Sequence, residues 1–132
     1  MKTAPELQLL AAAVVIGLVQ LLWATVAGTR QRNDLAWGMG PRDEPRPVTG
    51  TPARLERAFA NFLETFPLFA AAVVVAYLAG KLGTLTLWGS GLYVAARAIY
   101  VPLYASGVPM LRSLVWGVSL VGVLMVLAAV FL

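Results

Sequence analysis

Arg54, Arg57, Asn61 and Glu64 are separated by 3, 4 and 3 residues, the spacing of a single stripe along an α-helix. Tyr93, Arg97, Tyr100 and Tyr104 repeat the pattern with separations of 4, 3 and 4, and Arg112, Ser113 and Trp116 follow closely. Guanidinium groups grip carboxylates with a two-pronged fork, a carboxylate takes up an ammonium, and a carboxamide pairs with a peptide amide. Together these side chains suit an anionic or zwitterionic ligand: a small peptide-like molecule with carboxylates and an amine.

The chemistry open to such a site is limited by two missing residue types. The chain has no Cys and no His, which removes the usual ligands of zinc, copper and haem iron and the usual base or nucleophile of hydrolytic triads. Its six carboxylates are scattered without the spacing of a hard-cation site, so no metal is expected. A reactive sulfur, if there is one, must arrive on the ligand.

Composition dictates the elements that position these residues. Of 132 residues, 60% are hydrophobic and only 12% charged, with a mean hydropathy of +0.80. Soluble domains carry about 25% charged residues, so this chain lacks the polar surface to cover a globule. It reads as an all-α integral membrane protein: one four-helix domain over residues 1–132, with spans at about 7–29, 53–79, 84–105 and 110–132. At ~1.5 Å per residue each run can cross a hydrocarbon core of about 30 Å.

The connections are a polar loop over 30–52, rich in glycine, proline and charge, and two short turns at 80–83 and 106–109. Six of the ten basic residues lie between Arg30 and Arg57. Cytoplasmic loops collect Lys and Arg, so the first and third connections are expected in the cytoplasm and both termini across the inner membrane of the cell. The net charge of +4 then reports topology rather than nucleic-acid binding. Three pairs of small residues, Ala13 with Gly17, Ala76 with Gly80, and Ser113 with Gly117, are expected helix-packing points. Pro67 and Pro102 are expected to bend their spans.

The stretch from Arg54 to Phe69, followed by Ala96-Arg97-Ala-Ile-Tyr100-Val-Pro-Leu-Tyr104 and Leu111-Arg112-Ser113, resembles the MAPEG family, membrane-associated proteins of eicosanoid and glutathione metabolism, in a bacterial-type form. The resemblance implies a homotrimer of four-helix subunits that holds glutathione between neighbours near the cytosolic face. By matching position, Arg57, Asn61 and Glu64 resemble the family's second-span glutathione ligands, and Tyr100 and Tyr104 those of the third span. Arg54 and Arg97 are grouped with them from the stripes. Arg112 matches the arginine thought to stabilise the glutathione thiolate, with Ser113 beside it, and a first-span arginine corresponds to Arg30 or Arg32. Prostaglandin-synthesising members have His at the position of Tyr100 and Tyr at that of Trp116. Thr65 replaces the Tyr of the leukotriene synthase pattern.

The resemblance thus implies a glutathione transferase or peroxidase of the microsomal type, acting on lipophilic electrophiles with glutathione as co-substrate. Two other readings stay open. One is a non-catalytic or lipid-binding scaffold, in which the tyrosines and Trp116 form an interfacial belt, Arg54 and Arg112 are anchors, and Glu64 pairs with Arg57. The other is a small four-span exporter working through Glu64.

Overall fold

The computed structural model describes residues 2–132, which contain five helices: α1 (Pro5–Arg32), α2 (Leu35–Met39), α3 (Gly50–Leu78), α4 (Thr84–Ser106) and α5 (Pro109–Phe131). Proline opens α1 and α5, where its missing N–H breaks no helical bond. Asn33 ends α1 and Gly107 ends α4, both in the left-handed conformation that closes helix C-termini. α3 and α4 form the centre of the bundle, in contact with each other and with both α1 and α5.

Three of the four long helices, α1, α3 and α5, are long and apolar enough to cross a membrane. α4 is less apolar because Thr86, Ser90, Tyr93, Arg97 and Tyr100 line one face of it, and all five are buried within the bundle. Apolar side chains cover the outside instead, among them Val15, Leu18 and Leu22 of α1, Leu68 and Val75 of α3, and Leu114 and Leu124 of α5. That inversion suits a hydrocarbon solvent, in which every backbone polar group must be satisfied internally.

The main core joins Ala13 of α1, Phe69, Ala72, Val73 and Ala76 of α3, Tyr93 of α4, and Val123 and Val126 of α5. Phe69 stacks on Tyr93 with ring centroids 4.1 Å apart, and Thr65 Oγ1 lies 3.0 Å from the Tyr93 hydroxyl. At the end carrying the chain termini, the Thr86 hydroxyl is 2.7 Å from the buried carboxylate of Glu6 and accepts the Gly83 N–H at 2.8 Å.

Several sequence expectations need correction. The 30–52 segment is not wholly irregular: α1 runs on through Arg32, α3 starts at Gly50, and α2 forms between them. Asp34 makes α2 possible by accepting the Trp37 N–H at 3.0 Å, as an N-cap does. Side chains fold the rest of the loop back onto α1. Gln31 bonds both backbone groups of Thr49 at 2.8 Å, Arg46 pairs with Asp34 at 2.6 Å, and Trp37 lies against the guanidinium groups of Arg32 and Arg42. Of the expected packing glycines, Gly17 does meet Phe62 of α3, but Gly80 lies past the end of α3 with φ +69°, and a Cβ on Gly117 would meet nothing within 4 Å. The close helix approach is between Gly89 and Gly122.

Candidate functional site

The site residues on α3 and α4 are brought together by antiparallel register. Asn61 Oδ1 accepts Arg97 Nη1 at 2.9 Å, and four residues further along each helix, in opposite directions, Thr65 meets Tyr93. Toward the loop end, Arg57 Nε donates to the Tyr104 hydroxyl at 3.1 Å, and Arg54 Nη1 to the Ala105 carbonyl at 3.4 Å. The expected polar residues divide into two groups.

The deeper group centres on Arg97, which is 0% exposed. Its guanidinium carbon lies 4.3 Å from the Tyr100 ring centre and 5.7 Å from that of Phe62. Asn61 is its one hydrogen-bond partner among the described residues, and Nε and Nη2 are buried with none. Stacking on aromatic faces is a favourable setting for a guanidinium. Removing the single acceptor leaves a buried charge less compensated, and a hydrogen bond to a charged group contributes about 1.5–3 kcal/mol. Asn61→Leu is therefore expected to destabilise the protein by about that much, read as a lower denaturation midpoint in detergent, whereas Asn61→Asp, which keeps the acceptor and adds the opposite charge, should not. Equal midpoints for wild type and Asn61→Leu would show that the bond contributes nothing.

The outer group surrounds a cavity of about 240 Å³ lined by Arg54, Arg57, Tyr104, Gly107, Val108, Pro109 and Arg112. Arg112 and Arg57 lie against the Tyr104 ring, their guanidinium carbons 4.9 and 5.8 Å from its centre. Three guanidinium groups and no carboxylate line this space, so its field favours an anion. Arg112 sits in the first turn of α5, where the helix macrodipole adds partial positive charge. Arg54 also covers the end of α4, where carbonyls lack helical donors and a cation is favourable. Tyr100 links the two groups, with its ring centre 5.6 Å from that of Tyr104.

The remaining candidates lie apart. Glu64, Arg30 and Ser113 are exposed, and none makes a hydrogen bond or ion pair among the described residues. The alternative pairing of Glu64 with Arg57 is therefore not formed. Arg32 is tied to Glu56 at 3.5 Å and to the Arg46 carbonyl at 2.7 Å. Sequence reasoning passed over Glu6 and Gln20, both buried polar residues, and gave the buried Thr65 no place in the site. Gln20 carried a signal, as the one carboxamide in the interior of the uncharged run 7–29, whose other carboxamide, Gln8, stands at its start.

A family model described as MAPEG family matches residues 9–132. The chain belongs to the MAPEG family. The match includes all four long helices save the first turn of α1, so the outer and deeper groups both lie within the MAPEG region. No curated protein matches this MAPEG chain. Family membership makes it a membrane protein of the glutathione and eicosanoid metabolism kind.

Proposed function

We propose that this MAPEG protein binds glutathione and uses it as co-substrate against lipophilic electrophiles, as a transferase or peroxidase of the microsomal type. The observation that carries this is the cavity walled by Arg54, Arg57 and Arg112 around Tyr104, with no carboxylate in its lining. Its arginines would hold carboxylates, and the Tyr104 hydroxyl, already accepting from Arg57, keeps its own proton to donate. Bound glutathione would supply a thiol which, once ionised, attacks the electrophile.

The cavity is small for a tripeptide, since ligand pockets usually enclose about 300–1,000 Å³. Exposed Glu64, Arg30 and Ser113 make sense as parts of the same site if neighbouring subunits of a homotrimer complete it. In this reading the loop end faces the cytoplasm, in keeping with its arginines. Titration of the purified protein with glutathione, followed by calorimetry, tests the proposal. Saturable binding that weakens as salt rises is the expected result, because anion binding by arginines is screened. No heat of binding at millimolar glutathione would overturn it.

A further inference from the structure

A cavity of about 230 Å³ lies between α1, α3 and the segment that joins them, and its walls change from apolar to charged along α1. Leu21 and Ala24 of α1 and Phe59 of α3 form the apolar part, and Thr29, Arg32, Arg42 and Glu56 the polar part. From Leu21 to Thr29 is about two helical turns, ~12 Å, and Thr29 is where the uncharged run of the first span ends. Two of the three charges in the lining cancel, since Arg32 pairs with Glu56 at 3.5 Å. Arg42 has no carboxylate partner among the described residues, and its neighbours in sequence, Asp43 and Glu44, do not line the cavity. Arg42 is exposed yet held in place. Its Nε and Nη2 donate to the Gly38 carbonyl at 3.0 and 2.8 Å, and its guanidinium carbon lies 5.4 Å from the centre of the Trp37 ring. Nη1 is left without a partner among the described residues.

We infer that this cavity binds the phosphate of an anionic phospholipid, with Arg42 as the charge that holds it. A phosphodiester carries one negative charge, which matches the one uncompensated positive charge in the lining. A guanidinium donates well to phosphate oxygens, and the Thr29 hydroxyl is a further donor in the polar part of the lining. The first methylenes of one chain lie against Leu21, Ala24 and Phe59, and the rest of the lipid stays in the bilayer. A zwitterionic headgroup is a poorer match, because its ammonium finds the one carboxylate of the lining already paired with Arg32 and meets Arg42 as a like charge. A soluble phosphate gains the ion pair but covers none of the apolar wall. The cavity shares no residue with the arginine-walled one around Tyr104, so the inference does not depend on glutathione binding.

The protein in detergent micelles is titrated with dioleoylphosphatidylglycerol, and its denaturation midpoint is followed. A saturable rise is expected, because a ligand that binds only the folded state stabilises it. Dioleoylphosphatidylcholine and the water-soluble headgroup glycerophosphoglycerol should leave the midpoint unmoved. Arg42→Gln should raise the lipid concentration needed for half the effect about 10-fold or more, the loss of one charge-assisted hydrogen bond. Lys81→Gln removes the same charge from the opposite end of the bundle and should change nothing. Thr25→Phe fills the cavity from α1 with every charge intact and should abolish the rise. Arg42 and Thr25 are both exposed, and should one variant fail to fold, the other decides alone. Equal rises with the two lipids, or with glycerophosphoglycerol, overturn the proposal. So does a half-effect at the same lipid concentration in Arg42→Gln as in Lys81→Gln, or a rise that survives Thr25→Phe.

Discussion

Arg112→Ala is expected to lower turnover of glutathione with a model electrophile by about 10²–10³-fold, the loss typical when one preorganised group that stabilises developing charge is removed. On the proposed glutathione chemistry, with no His or Cys in the chain, thiol ionisation would fall to electrostatics. A free thiol has a pKa of about 8.5, and cations beside it lower that value by favouring the thiolate. Arg112 lines the outer cavity, against Tyr104 and at the start of α5, so its charge and the helix terminus act on the same space. Removing it raises the pKa of the bound thiol, and the rising limb of the pH–rate profile moves to higher pH. Arg54 and Arg57 remain to hold carboxylates, so the glutathione dissociation constant should change by less than the turnover does. A variant that loses binding and turnover equally, with an unmoved pH profile, would place Arg112 among the plain binding groups.

The sequence made the helices and the polar stripes legible, because an apolar run of more than 20 residues and a 3–4 spacing each follow from helix geometry alone. It did not reveal which members of a stripe face inward. Successive residues turn by about 100°, so Glu64 lies a full 100° from Thr65, and it is Thr65 that meets Tyr93. Asn61 sits at the edge of the buried face and reaches Arg97, while Arg57 and Glu64, seven residues apart and nearly in line, stay on the flank and exposed. Four residues that look equivalent by spacing therefore have different surroundings. The α3–α4 register that pairs them is a tertiary property, fixed by Phe69 stacking on Tyr93 and by the short turn at 80–83, and no local pattern encodes it. The loop hid α2 in a similar way, since the capping bond from Asp34 counts for more than the glycines and prolines around it.

The same gap between pattern and packing governs the glycines of α4 and α5, where Gly122→Ala is expected to be among the most damaging single changes in the molecule. A Cβ at Gly122 would stand 2.5 Å from the Gly89 carbonyl oxygen and 2.8 Å from the Tyr93 nitrogen, and one at Gly89 would stand 2.8 Å from the Gly122 carbonyl. Both obstacles are backbone, so no rotamer change relieves them and the helices must move apart. Moving α5 off α4 loosens Val123 and Val126 from Tyr93 and the main core. Overpacking costs about 1–3 kcal/mol even where side chains can yield, so ~3 kcal/mol or more is expected here, seen as loss of the folded species or a much lower denaturation midpoint. Gly91 and Gly117 lie on the same two helices with nothing within 4 Å of an added Cβ. Alanine at either should be neutral or stabilising by up to about 1 kcal/mol, because helical alanine is favoured over glycine by that margin. In sequence, the 113–117 pair looked like the packing point on α5. If Gly122→Ala proves as stable as Gly117→Ala, the close crossing of α4 and α5 at Gly89 and Gly122 is wrong, and with it the placement of Tyr93 beneath the candidate site.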